Sequence, residues 1–249
     1  MKSLKRVHVI GLLAVAATVV FSAASADLRE GFAAYKRGDY ETAAHEFSRL
    51  AEEGDPIAEY GLALMYSKGR GVPQDNVIAA DLYRSAAEQG VLEAQVNLAV
   101  MYMEGQGVSQ DYWEAARWYK EPAEHGFRAA MNGLADIAFE SEGAAVGYDE
   151  ALYWLKEIAK TGDPDGLEGI SWMYLNGVGV ERDIVEMFAW TALATCTSTQ
   201  PNSVMIALEL AKRMTEEELA EGKRKAKLHN DELGMSCSGW DDFDRLIER

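Results

Sequence analysis

The amino-acid sequence predicts an all-α protein in which helix-turn-helix repeats stack as an α/α solenoid that ends in a C-terminal helical cap. Three observations lead to this prediction: a period of 36 residues, helical spacing of apolar residues inside each period, and paired glycines between the two helices of a unit. The period holds without insertion from about Gly54 to Thr195. Such a fixed period is the signature of stacked repeats, each of which buries its apolar face against its neighbours.

The period is visible in several series of residues that recur at intervals of 36. Small residues, branched aliphatic residues, aromatic residues and glycines each keep their own place in the unit. The clearest series are Ala58, Ala94, Ala130, Gly166; Leu62, Leu98, Leu134, Ile170; Tyr66, Tyr102, Ala138, Tyr174; and Gly71, Gly107, Gly143, Gly179.

Residues 94–126 show the internal grammar of one unit. Apolar residues between Ala94 and Tyr102 recur at helical spacing and predict a first helix. The segment Gly105-Gln106-Gly107-Val108 follows, and glycine just beyond a helix permits a left-handed turn. Asp111, with Glu114 three residues later, then predicts a capping box that opens the second helix.

Two segments depart from this order of helix, glycine turn and helix. Pro122 lies inside a second helix, where the missing backbone donor is expected to bend or end the helix. Residues 140–147 lack the Gly-x-Gly-Val turn, so a turn of different shape is expected there. Two further capping boxes are predicted, at Asp183 with Glu186 and at Thr215 with Glu218.

At these residues the chain resembles the Sel1-like repeat family, an α/α solenoid related to tetratricopeptide repeats. The unit Ala94–Gly126 carries the full pattern, and residues 58–90 match it nearly as well. The pattern consists of Ala94, Asn97-Leu98-Ala99, Met101-Tyr102, Gly105-x-Gly107-Val108, Asp111, Ala115, Trp118-Tyr119, Ala123 and Gly126. The resemblance implies a right-handed solenoid with a tetratricopeptide-like hairpin at 27–55, four repeats of 36 residues at 56–195, and capping helices with a tail at 196–249.

The first 26 residues have the pattern of a secretory signal peptide. Lys2, Lys5 and Arg6 precede a mostly apolar run, and Ala24-Ser25-Ala26 is a small-x-small cleavage site. A membrane anchor is the alternative, but the apolar run is short for a membrane span and is interrupted by His8. The sequence therefore predicts export across the inner membrane to the periplasm, with no stable membrane insertion after cleavage.

The exported chain is strongly acidic. Without its first 26 residues it keeps 21 Lys and Arg against 41 Asp and Glu, a formal charge of −20. Such a surface repels nucleic acid and anionic lipid, so neither is expected as a partner. A generally solvated acidic surface accounts for this charge better than a dedicated site for basic ligands.

Two cysteines, Cys196 and Cys237, both lie in the exported part. An even count in an oxidising compartment favours a disulfide between them, with a buried free thiol at Cys196 as the alternative. The bond would tie the last repeat to the C-terminal tail. The histidines of the exported part, His45, His125 and His229, are isolated and read as surface residues, so neither a metal nor a cofactor is expected.

The family resemblance implies a non-catalytic adaptor that binds a protein or peptide partner in the groove of the solenoid. The narrower version is a regulator that binds the periplasmic domain of a membrane sensor. Trp172 stands out as a candidate anchor for a partner; the alternative is that it packs against the C-terminal cap. The candidate groove residues are Gly61, Leu64, Lys68, Asn97, Val100, Glu104, Asp136, Glu140, Trp172 and Asn176.

Two other classes of function stay open from the sequence. Some exported relatives have been linked to β-lactam binding or hydrolysis, but those carry a cysteine pair in each repeat, which this chain lacks, and no catalytic constellation is found in it. The second class is a peptidoglycan-binding module. The sequence does not name the partner or the oligomeric state.

Overall fold

The computed structural model describes residues 26–197 and 201–235, and the regular elements in these ranges are twelve α-helices. Residues 1–25 of the predicted signal peptide and the tail from residue 236 lie outside the described residues. The chain divides into two compact units between Ala129 and Ala130. The helices are α1 (Ala26–Arg37), α2 (Tyr40–Glu52), α3 (Pro56–Lys68), α4 (Asn76–Glu88), α5 (Leu92–Glu104), α6 (Tyr112–Glu124), α7 (Arg128–Glu140), α8 (Tyr148–Lys160), α9 (Pro164–Asn176), α10 (Ile184–Thr197), α11 (Pro201–Ala211) and α12 (Glu216–Leu233).

The helix boundaries repeat with the period of the sequence. The first helices of the four repeats, α3, α5, α7 and α9, begin at residues 56, 92, 128 and 164. Their second helices, α4, α6, α8 and α10, begin at residues 76, 112, 148 and 184. In the first unit each helix from α1 to α6 packs against the next, and in the second unit α8 packs on α9 and α9 on α10. The predicted fold class, an all-α solenoid of helix pairs, is confirmed.

The first helix of a repeat is buried on most of its sides. In α3 every residue from Ala58 to Met65 is buried, because the helix lies between α2 and α4. Gly61 faces the ring of Phe47, where an added Cβ would lie 3.1 Å from ring carbons. The prediction that Gly61 and Leu64 line an open groove is therefore wrong.

The two glycines of a Gly-x-Gly turn have different roles. The first, such as Gly105, ends its helix in the left-handed conformation at φ 69°. The second, such as Gly107, is also left-handed and touches the preceding repeat: an added Cβ would lie 2.1 Å from the backbone oxygen of Asn76. Gly71 meets the backbone oxygen of Tyr40 at the same distance of 2.1 Å. The Gly-x-Gly pair therefore serves helix termination and close packing between repeats.

Aspartates cap three of the four second helices, α4, α6 and α10, but the capping boxes predicted at two of these aspartates are wrong. The Asp111 side chain accepts hydrogen bonds from the backbone N–H groups of Trp113 and Glu114, as an N-cap does. The Asp111 backbone N–H, which Glu114 would have to bind, donates instead to the carbonyl of Tyr102. Asp183 likewise accepts hydrogen bonds from the backbone N–H groups of Val185 and Glu186 and donates its own N–H to the carbonyl of Tyr174. The box at Thr215 and Glu218 is confirmed, with both reciprocal hydrogen bonds present.

The two predicted irregularities have different outcomes. Pro122 does not shorten its helix: α6 has 13 residues, as α4 does, because the proline lies in the last turn and removes one hydrogen bond there. The segment at 140–147 does differ from the other turns. Ser141 occupies the place of the first glycine, and Glu142 takes up the left-handed conformation at φ 52°.

Candidate protein-binding surface

Three positions near the end of each first helix share one face, because residues at i, i+3 and i+4 are neighbours on a helix. In the second unit all six of these positions are at least partly exposed, and we call them the acidic–aromatic face. On α9, Trp172 and Leu175 are each 38% exposed. The acidic–aromatic face consists of Asp136, Phe139 and Glu140 of α7 with Trp172, Leu175 and Asn176 of α9.

Trp172 is held in place by a run of aromatic rings. Its ring and the Phe139 ring pack in a T-shaped arrangement with their centroids 5.0 Å apart. Phe139 in turn stacks on Tyr148, the first residue of α8, at 6.3 Å. Edge-to-face and offset-stacked pairs are the favoured arrangements of aromatic rings. Trp172 therefore combines an exposed surface with a ring contact to Phe139 of α7.

The pKa of Asp136 reflects the electrostatic environment of the face. Burial raises the pKa of its carboxyl group, and the negative charges of Glu140 and Asp165 raise it further, to about 6. A carboxyl group with a raised pKa is destabilised in its charged form. The face therefore holds negative charge that the fold does not neutralise.

The other candidate residues of the second unit lie on the same face. Glu140 is exposed at the end of α7, and Asn176 is exposed at the end of α9. The Asn176 side-chain amide donates a hydrogen bond to the backbone oxygen of Trp172 over 2.8 Å. The amide therefore fixes the last turn of the helix that carries Trp172.

The candidates of the first unit form a second, less aromatic surface. Lys68 and Glu104 are exposed at the ends of α3 and α5. Asn97 is half-buried, and its side-chain amide donates to the backbone oxygen of Glu93 over 2.9 Å. Its nitrogen is thus already committed to its own helix, which makes Asn97 a weaker candidate for partner contact than Trp172.

The structure describes one of the two cysteines. Cys196 takes part in a disulfide and is half-buried near the end of α10. Cys237 lies outside the described residues, so the pairing of the two stays a prediction.

The isolation of His229 predicted from the sequence is wrong. Its side chain is 14% exposed and stacks on the ring of Trp190, with centroids 4.1 Å apart. Its Nε2 lies 2.9 Å from a carboxylate oxygen of Glu186, which also accepts hydrogen bonds from Trp190 and Lys225. Through these hydrogen bonds the Glu186 carboxylate links α12 to α10. His45 and His125 are exposed, as expected.

Burial raises the pKa of Glu186, but the hydrogen bonds and charges of His229 and Lys225 outweigh it and lower the pKa to about 2. Charged Glu186 is therefore stabilised by the cap, whereas charged Asp136 is not stabilised by anything in the acidic–aromatic face. Among the described residues, no group of three or more His, Cys, Asp and Glu side chains is placed to hold a metal ion.

A sequence model of the Sel1 repeat matches the chain four times, at residues 56–91, 92–127, 128–163 and 164–195. Together these matches cover more than half of the chain. The chain belongs to the Sel1 repeat family. Sel1 repeat proteins are generally scaffolds for protein–protein interaction, and their fold is typically non-catalytic.

Two solved structures show the same architecture. One is a protective antigen present in uropathogenic Escherichia coli strains that displays an SLR fold, with a TM-score of 0.66, 27% identity and 89% of this chain covered. This chain spans about half, 52%, of the length of that protein. The other is a Sel1 repeat protein from Oxalobacter formigenes, with a TM-score of 0.62, 24% identity, and coverage of 91% of this chain and 98% of that one. No curated protein matches the chain significantly.

None of the helices within residues 26–197 and 201–235 is both long and apolar enough to cross a membrane.

The raised pKa of Asp136 predicts a gain of stability when its charge is removed. Below the ordinary pKa of 3.8 the carboxyl group is neutral in both the folded and the unfolded state. Between pH 3.8 and pH 6 the unfolded state ionises first, so the penalty on the folded state grows over this range and is complete above pH 6. Because the side chain is half-buried, we expect Asp136→Asn to raise the free energy of unfolding by about 1–2 kcal/mol near neutral pH, and by almost nothing near pH 4. Urea unfolding at both pH values measures this.

The matched control is Glu104→Gln, which removes an exposed carboxylate at the end of α5. We expect it to change the free energy of unfolding by less than about 0.5 kcal/mol at either pH. Equal gains for Asp136→Asn at both pH values would contradict the electrostatic account.

Proposed function

We propose that this Sel1 repeat protein is a non-catalytic scaffold of the cell envelope that binds a protein or peptide partner on its acidic–aromatic face. The observation that carries the proposal is Trp172, an exposed indole that packs against the ring of Phe139. Partner-binding energy is concentrated in a few residues, and tryptophan is one of the commonest of them. A ring that already packs against a neighbour has less side-chain entropy to lose on binding.

The family supports the class of this function, and the sequence supports its location. Sel1 repeats generally mediate protein–protein binding. Residues 1–26 have the pattern of a secretory signal peptide, and a disulfide at Cys196 suits an oxidising compartment. A periplasmic domain of a membrane sensor is the narrower partner that we propose.

Trp172→Ala is expected to weaken partner binding by about tenfold or more, since truncation of a central tryptophan typically removes 2 kcal/mol or more of binding energy. The measurement is in-cell photocrosslinking from a photoreactive amino acid placed at Asn176, at the edge of the face. Crosslinked proteins are identified by mass spectrometry, and the yield is compared with and without Trp172→Ala.

Trp113→Ala supplies the matched control, because Trp113 is 65% exposed on α6, far in sequence from the acidic–aromatic face. It should leave the crosslink yield unchanged. A photoreactive residue at Leu228, which is 54% exposed on α12, reports background labelling. A partner that crosslinks equally well to the wild type and to Trp172→Ala would rule out this face as its binding site.

The two alternatives from the sequence have direct tests. A β-lactam-binding enzyme would hydrolyse a chromogenic β-lactam and lose that activity through a point substitution. A peptidoglycan-binding module would co-sediment with purified sacculi. Either result would favour the alternative over a protein partner, and no observation in the described residues favours one now.

A further inference from the structure

The two carboxylates of the acidic–aromatic face have no cationic partner among the described residues. Asp136 and Glu140 lie one turn apart on α7, and neither is within salt-bridge distance of a described lysine or arginine. Many other acidic side chains of the chain do have such partners: Glu114 pairs with Arg117 at 2.8 Å, and Asp81 with Arg84 at 2.7 Å. Asp165 on α9 adds a third negative charge to the field at Asp136.

The aromatic part of the face also has no arginine over it. Three rings in other parts of the described chain do lie under an arginine. Arg70 lies over the rings of Tyr35 and Tyr40 at 5.7 and 5.3 Å, and Arg117 lies over Trp118 at 4.2 Å. Trp172 has no such cation among the described residues, although it is 38% exposed.

These contrasts point to the chemistry that is missing. An indole face attracts Lys and Arg side chains through its quadrupole, and neighbouring carboxylates attract the same groups through their charge. Leu175, which is 38% exposed beside Trp172, adds an apolar contact. An arriving cation would meet a carboxylate without a described cationic partner and a partly exposed indole on the same face.

We infer that the acidic–aromatic face binds a segment of the partner protein that presents a lysine or arginine next to an apolar residue. This inference rests on the proposed function and names the chemical class of its partner. The net charge of the exported chain, −20, favours the approach of a basic segment over long distances. The negative charges of Asp136 and Glu140 then select the basic side chain at short range.

The inference also predicts a pH dependence. The groups that set the charge state of Asp136 are Glu140 on its own helix and Asp165 on α9. A bound cation stabilises the charged form of Asp136, so binding is stronger when this group is already ionised. With a pKa of about 6 in the free protein, affinity is expected to rise up to about tenfold between pH 5 and pH 7.

The experiment uses protein purified from cells that express the full chain. The probe is an array of dodecapeptides that place arginine or lysine beside leucine or phenylalanine, with matched peptides in which each basic residue is glutamine or glutamate. Affinities of the best binders are measured by fluorescence anisotropy at several pH values and salt concentrations. We expect the basic apolar peptides to bind and the matched peptides to bind at least about tenfold more weakly.

The double variant Asp136→Asn/Glu140→Gln should weaken binding of the basic peptides by about five- to twentyfold and flatten both the pH and the salt dependence. The control double variant Glu209→Gln/Asp231→Asn removes two exposed carboxylates from the same unit without touching the face. It tests attraction by net charge alone and should leave binding within about twofold. Equal losses in both double variants would overturn the inference.

The array and the in-cell crosslinks separate the failure of this inference from that of the proposed function. If the crosslinked partner segment depends on Trp172 but contains no lysine or arginine, the face binds a partner of another chemistry and this inference falls alone. If basic peptides bind the purified protein while the crosslinks to the cellular partner persist in Trp172→Ala, that result contradicts the proposed function of the face. A Trp172-dependent segment rich in lysine or arginine supports both.

Discussion

Gly107→Ala is expected to lower the free energy of unfolding by about 3–5 kcal/mol, because two separate penalties coincide at this residue. Its φ of 72° is left-handed, which costs a residue with a Cβ about 1–2 kcal/mol. An added Cβ would also lie 2.1 Å from the backbone oxygen of Asn76 and 2.9 Å from the nitrogen of Val77. These are main-chain atoms at the start of α4, so relief requires a shift of one repeat against another and not a change of rotamer.

Gly90→Ala is the matched control for this prediction. Gly90 has a φ of 87°, and nothing lies within 4 Å of an added Cβ. The control therefore carries the conformational penalty without the collision, and we expect a loss of about 1–2 kcal/mol. Urea unfolding of both variants separates the two penalties. If the two losses are equal, close packing between repeats is not the reason for the second glycine of the turn.

The sequence predicted the fold well because packing between repeats demands the same residue types at each step. The 36-residue interval set the start of every helix in the four repeats, and the left-handed glycines at 69, 105 and 177 ended the first helices where the pattern placed them. The capping boxes at Asp111 and Asp183 were predicted wrongly for a local reason. The short glycine turn brings each aspartate's N–H to the carbonyl of Tyr102 or Tyr174, a contact that spacing alone does not reveal.

The sequence predicts Asp136, Glu140, Trp172 and Asn176 as partner contacts because packing does not use these positions of the first helix. That role stays a prediction. Leu64 was included by the same rule and is 4% exposed, because hydrophobic burial differs between repeats at equivalent positions. A periodic pattern cannot show this difference.

Two members of the face, Phe139 and Leu175, were not predicted. They occupy one series with Ser67 and Met103, at three residues after the position of Trp172. The variability of that series was the available signal, since positions fixed by packing keep their residue type. The ring contact between Phe139 and Trp172 joins side chains from different repeats, and only the structure brings them together.

Glu186→Ala is expected to lower the free energy of unfolding of the second unit by about 2–4 kcal/mol and to loosen the C-terminal cap. The substitution removes the acceptor shared by Trp190, Lys225 and His229, and it leaves these donors partly buried without it. Hydrogen exchange should accelerate most in α12, which Lys225 and His229 join to α10. Glu221→Ala is the control, because the ion pair of Glu221 among the described residues is with exposed Arg224 on its own helix. It should change stability by less than about 1 kcal/mol.

The same carboxylate makes the stability of the cap depend on pH. The pKa of Glu186 is lowered to about 2 in the folded state from an ordinary 4.5, so its contribution is present above pH 4.5 and is lost as the pH falls toward 2. We expect this loss to amount to about 2–3 kcal/mol, since the side chain is 14% exposed. Glu186→Gln keeps the shape of the side chain without its charge. Its free energy of unfolding should therefore depend less on pH over this range and should converge with that of the wild type near pH 2. Parallel curves for the two proteins between pH 5 and pH 2 would show that the charge of Glu186 does not hold the cap.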